Sequence, residues 1–144
     1  MPTKLELDST YMGTALLHSK LSKAIRKKVG AVAVTQHGVT LTGYNGRHAG
    51  ADNRCEDTDP ETGEITTRGD VLHAELNCIL KAAKEGISLT GASMYITLSP
   101  CLQCSAMMVQ AGIKEVTYAE EYRSLDGVEL LKKAGIKVNR FLTY

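Results

Sequence analysis

Two short stretches carry residue types that can do chemistry together: His73 and Glu75 in HAELN, and Cys101 and Cys104 in PCLQC. Cysteines three apart at the start of a helical run lie on one face of its first turns, so both sulfurs can reach one ion. Ser99 reads as the N-cap of that helix and Pro100 as its first residue. The positive end of the helix dipole stabilises thiolates, the form that binds zinc. A C-x-x-C pair alone could equally be a redox dithiol. A dithiol needs no outside histidine, and His73 supplies a third ligand. One His with two Cys leaves the fourth tetrahedral position open for water, the mark of a catalytic site, whereas a zinc that only braces the fold takes four protein ligands. Glu75 then reads as a proton carrier beside a water whose pKa the metal lowers to about 7. Its other reading is a favourable acidic residue in a helix's first turn.

The elements that must position these residues follow from periodicity. Leu17, Leu21, Ala24 and Ile25 recur at helical spacing behind the candidate N-caps Asp8, Ser9 and Thr10, predicting a helix near 9–27. The β-branched runs VGAVAVT and VTLTGYN, joined by QHG with Gly38 in the turn, predict an antiparallel hairpin. Residues 46–70 are polar, rich in turn formers and without period, which marks a loop that is either functional or a mobile excursion. Beyond it helix and strand alternate. Leu76, Ile79, Leu80 and Ala83 mark a helix, ASMYITL a strand, 101–111 a helix, KEVTYAE a strand, 128–134 a helix and IKVNRFL a strand. Glycines 86, 112 and 135 stand where helix C-caps belong. Alternation of this kind implies parallel strands with crossover helices, here a mixed sheet with helices on both faces, and a site at the carboxyl ends of the strands.

Composition limits the partners. At 144 residues the chain has the size of one domain, expected to span 1–144. Its 17 basic and 16 acidic residues nearly cancel, which excludes a strong field for nucleic acid or anionic membrane and favours a small ligand. No run approaches the roughly 20 apolar residues of a membrane span. The expectation is a soluble, cytoplasmic protein with reduced cysteines. Cys78, among Leu76, Ile79 and Leu80, reads as a buried small hydrophobe, and Cys55 has no clear partner in the polar loop. His18 and His37 read as solvated, and His48 has no assigned role.

In combination, H-x-E and P-C-x-x-C match the signature of zinc-dependent nucleobase deaminases. Beyond that signature, the chain resembles the deoxycytidylate deaminase family through KVGAVAV, GYNG (Gly43 to Gly46), HAELN, GASMYITLSPCLQC, QAGIKEV and EYRS. The resemblance implies an α/β fold, a three-layer αβα sandwich around a mixed five-stranded, cytidine-deaminase-like sheet. It implies hydrolysis of dCMP to dUMP and ammonia, with zinc on His73, Cys101 and Cys104 and Glu75 as proton shuttle. Asn45, Ala74, Ser99, Tyr122 and Arg26 would bind substrate, Arg26 at the phosphate unless it is an ordinary solvated helix charge. It also implies a homohexamer switched on by dCTP and off by dTTP, with Mg2+ accompanying the triphosphate and the effector held by Asn45, Gly46 and Arg47. His48 stands where the family has proline, which loosens that loop. The competing readings are a cytidine deaminase, a tRNA adenosine deaminase and a non-catalytic zinc-braced module. A tRNA enzyme should display a basic stripe, and the only basic cluster here is KAIRKK.

Overall fold

The computed structural model describes residues 1–142. Its elements run α1 (Lys4–Ser19), β1 (Gly30–Val34), β2 (Thr40–Tyr44), β3 (Glu56–Thr58), β4 (Ile65–Thr67), α2 (Ala74–Glu85), β5 (Ser93–Leu98), α3 (Leu102–Ala111), β6 (Glu115–Glu120), α4 (Asp126–Lys133) and β7 (Lys137–Arg140). Five strands form one sheet in the order β2-β1-β5-β6-β7. β1 is antiparallel to both neighbours, with Ala33 opposite Leu41 and Met94, while β5, β6 and β7 are parallel. The mixed five-stranded sheet and the α/β class therefore agree with the reading of the sequence.

Two apolar clusters define the layers. On one face Ala31, Ala33, Met94, Ile96 and Val116 meet Cys78 and Ala82 of α2, Met108 of α3 and Leu131 of α4. On the other, Val32 and Tyr95 meet Met12 and Ala15 of α1, with Phe141 at the margin. The glycines behave as punctuation: Gly86 and Gly112 end α2 and α3 in the left-handed conformation, and Gly38 turns the β1–β2 hairpin at φ 87°. No helix among the described residues is long and apolar enough to cross a membrane.

Two expectations need correction. The first helix starts at Lys4 and ends at Ser19, eight residues short of the predicted end, and its N-cap is Thr3. Thr3 and Glu6 form a capping box, each side chain taking the other's backbone N–H, a stronger start than Asp8, Ser9 or Thr10 offers. Its buried stripe is Met12, Ala15 and Ser19, so Leu17, Leu21 and Ile25 stay exposed. Secondly, residues 46–70 are not a bare loop: they hold the antiparallel hairpin β3–β4, pairing Glu56 with Thr67 and Thr58 with Ile65. Paired backbone bonds between Gly46 and Leu72 close the neck of this excursion, and Arg47 and Arg68 bind Asp52, Asp57 and Asp70 across it.

α1 lies directly on β1. A Cβ added at Gly30 would stand 1.9 Å from Ala15 O and 2.7 Å from Ser19 N, both backbone atoms that cannot swing away. Gly30→Ala is expected to destabilise the fold by about 1–3 kcal/mol or more, read as a lowered urea midpoint. Gly69→Ala, whose Cβ meets nothing within 4 Å, should stay within about 0.5 kcal/mol of the parent. Equal midpoints for the two variants would contradict this packing.

Candidate active site

The starts of α2 and α3 face one another at the ends of β1 and β5. His73 is the N-cap residue of α2, with its side chain free of any capping bond, and Glu75 follows inside the first turn. At α3 the expected cap is corrected: Cys101, not Ser99, is the N-cap, the helix begins at Leu102, and Pro100 lies outside it. The Cys101 sulfur accepts the Cys104 N–H at 3.4 Å, so the thiol itself does the capping. Ser99 is instead a buried brace whose Oγ accepts the backbone N–H of Tyr122 at 2.7 Å, fastening the segment after β6 to the end of β5.

Across this junction His73 Nδ1 lies 3.3 Å from Cys104 Sγ and 3.6 Å from Cys101 Sγ. All three ligand atoms fall within 4.8 Å of one another. Tetrahedral nitrogen and sulfur ligands at zinc distances of 2.0–2.3 Å stand about 3.5 Å apart, so the residues present fit a zinc ion with one position left over. The electrostatics agree with that donor set. Hydrogen bonds from Cys104 and His73 pull the Cys101 thiol down to about 4, and the resulting thiolate pushes the Cys104 thiol upward. The bond to Cys101 raises His73.

Glu75 is 3 % exposed, and burial pushes its carboxyl up to about 7 against the opposing pull of His73, whose Nδ1 is 4.0 Å away. A carboxyl sealed beside three atoms that could hold a metal, and poised near neutrality, is suited to moving protons. A first-turn acidic residue with only a helix dipole to serve would stay in solvent.

His73, Glu75 and Cys101 line a cavity of about 250 Å³. All five expected substrate residues, Arg26, Asn45, Ala74, Ser99 and Tyr122, line it too. Asn45 also has structural work, since its Oδ1 accepts from Val29 N and its Nδ2 donates to Lys27 O, both at 2.8 Å. The Arg26 guanidinium donates to the Thr67 hydroxyl at 3.2 Å and makes no ion pair with a carboxylate among the described residues, while its backbone N–H donates to Glu56. It lies beyond the end of α1, so it is not a helix charge. Asn45, Gly46 and Arg47 line a second pocket of about 240 Å³ around the neck of the excursion. There the Arg47 guanidinium is held by Asp52 and Asp70, each at 2.9 Å, and His48 bonds its neighbour's carbonyl.

Among the lining residues that the sequence did not single out for the site, Cys55, Glu56 and Thr67 are carried by the excursion. One signal pointed there, a cysteine inside an otherwise polar tract. Cys55 is buried, as is Cys78 of α2.

The family model described as the cytidine and deoxycytidylate deaminase zinc-binding region matches residues 5–120, and the chain belongs to that family. Within it the similarity runs to deoxycytidylate deaminases. The chain is 37% identical to that of Saccharomyces cerevisiae over 142 residues, covering 93% of this chain but 44% of the yeast protein. It is 36% identical to that of Enterobacteria phage T4 over 169 residues, covering 90% and 87% of the two chains. The crystal structure of dCMP deaminase from the cyanophage S-TIM5 in complex with dCMP and dUMP superposes with a TM-score of 0.87 at 41% identity, covering 97% of this chain and all of that one.

The purified protein is expected to hold one zinc per chain by elemental analysis, with His73→Ala and Cys104→Ala well below that value at unchanged far-UV circular dichroism. Full zinc occupancy in both variants would remove these residues from the ligand set.

Proposed function

We propose that this chain hydrolyses dCMP to dUMP and ammonia in a single catalytic domain, with the 46–70 excursion as a working part of the site. The observation that carries the reading is the buried carboxyl of Glu75 beside the His73–Cys101–Cys104 cluster, in the wall of a nucleotide-sized cavity. The likeness over nearly the whole chain to a cyanophage protein crystallised with dCMP and dUMP supports it.

In this reading His73, Cys101 and Cys104 hold zinc, whose Lewis acidity makes a hydroxide nucleophile available near neutral pH. The remaining steps belong to the chain. Glu75 accepts a proton from the attacking water, gives it to pyrimidine N3, takes the second water proton and delivers it to the departing amine. Water oxygen ends on C4 and ammonia leaves, so atoms and charge balance. Ala74 and Ser99 wall the pyrimidine, Asn45 lies beside the sugar, Tyr122 lies near the base and phosphate end, and Arg26 offers its guanidinium to the phosphate. The near-neutral composition supports a small substrate over a tRNA.

Regulation belongs to the same proposal. dCTP with Mg2+ activates and dTTP inhibits through the second pocket, at Asn45, Gly46 and Arg47, in a cytoplasmic homohexamer. A triphosphate there must draw Arg47 away from Asp52 or Asp70, and the loop with His48 in place of proline has the freedom for that exchange.

Offered dCMP, deoxycytidine, dCTP and a tRNA anticodon stem in parallel, the protein should release ammonia well only from dCMP. Glu75→Ala should keep its zinc and lose about 10²–10⁴-fold or more in kcat. Equal turnover in that variant would require a different proton carrier. Rate against dCMP should be sigmoidal and become hyperbolic with dCTP and Mg2+, whereas a hyperbolic curve indifferent to dCTP removes the effector site.

A further inference from the structure

Glu56 is a buried carboxyl in the cavity wall with no part in the reaction described above. It sits at the first position of β3, is 6 % exposed and lines the cavity together with Glu75 and Arg26. Its Oε2 accepts two backbone N–H groups, from Ile25 at 2.9 Å and Arg26 at 3.0 Å. Its Oε1 is buried and has no hydrogen-bond partner among the described residues. A buried carboxylate oxygen without a partner is costly, and such orphans call for a donor.

We infer that Glu56 determines sugar specificity: its Oε1 accepts a hydrogen bond from the deoxyribose hydroxyl of the nucleotide, a reading that rests on the function proposed above. Chemistry selects this donor. An acceptor-only carboxylate repels a phosphate and pairs with a donor. The pyrimidine amine is committed to Glu75 in the proposed reaction. In dCMP that leaves the 3′-hydroxyl, on the sugar that joins base to phosphate. Placement agrees, because Glu56 grips the backbone of Arg26, the residue offered to that phosphate, while Asn45 grips Lys27 and Val29 just beyond. The two oxygens turn together about a broad terminal torsion, so a small rotation that brings Oε1 toward the cavity lengthens the Oε2 bonds to Ile25 and Arg26. The hairpin β3–β4 thus carries this acceptor to the cavity wall.

The test compares dCMP with 2′,3′-dideoxycytidine monophosphate, which lacks only this donor. Wild-type holoenzyme should favour dCMP by at least about 100-fold in kcat/KM, since a buried acceptor without its partner penalises the analogue. In Glu56→Ala the preference should collapse to within about 5-fold. Loss of the grip on residues 25–26 slows both substrates alike and cancels in the ratio, so a purely structural Glu56 leaves the ratio unchanged and overturns the inference. Glu56→Gln, which can keep the backbone bonds, should lower the ratio without lowering stability. Binding of dUMP against 2′,3′-dideoxyuridine monophosphate, by calorimetry, reads the same contact without turnover. Hydroxyl-dependent binding that disappears in Glu56→Ala without any ammonia release would sink the proposed reaction and keep the contact. Equal binding of the two product analogues by the wild type would sink the contact, whatever the protein catalyses.

Discussion

Everything at the site depends on how closely two helix starts can approach the backbone beneath them. A Cβ at Gly43 in β2 would stand 2.5 Å from Ala74 O and 3.1 Å from Cys78 Sγ, so β2 and the first turn of α2 touch through bare backbone. At α3 the same device comes from α4, where a Cβ at Gly127 would be 2.2 Å from Pro100 O and 2.7 Å from the Cys101 carbonyl carbon. These contacts fix His73 on one side and Cys101 on the other before any side chain chooses a rotamer. The ligand spacing is therefore a property of packed backbone, and a metal arriving there finds it already set.

Electrostatic strain follows from that geometry. Burying an ionised carboxyl or thiolate is unfavourable unless hydrogen bonds or opposite charge compensate. Cys101 is compensated twice, by the Cys104 N–H it caps and by the His73 ring. Glu75 is compensated poorly, which is why burial dominates its shift upward. Apolar packing on the same sheet face, through Cys78, Met94, Ile96 and Met108, supplies the stability that tolerates such a group.

Local signals carried most of the site to the reader of the sequence. Ligand spacing, strand alternation and capping glycines act within a few residues, so HAELN, PCLQC and Gly86 could be placed without knowing the fold. The failures are tertiary. Helix α1 turns Met12 and Ala15 inward because Gly30 admits the chain closely there, and the larger Leu17 and Leu21 are left outside, against the ordinary ranking of side chains. Ser99 and Pro100 look like a helix start, yet Ser99 is taken by Tyr122 and a cysteine caps instead. Glu56 stands in a tract with several other carboxylates, and nothing in composition separates the one that folds inward from those that stay in water.

The excursion shows why a long polar insertion persists in a compact domain. Its ion pairs are partly exposed and individually weak, worth roughly 0–1 kcal/mol each. What they share is direction: Arg47 and Arg68 both bind Asp70, next to the strand-like bridge at Leu72 that leads into His73. One route of the excursion thus ends at His73 of the His–Cys–Cys cluster, another at Glu56 on the cavity wall. Asn45 and Cys55 line both the cavity and the second pocket. A ligand that rearranges one pocket through this common wall must alter the free energy of binding in the other by the same amount, because coupling between two sites is reciprocal. The charged insertion is thus the wall that the two pockets have in common, held at its neck by the Arg47 and Arg68 ion pairs.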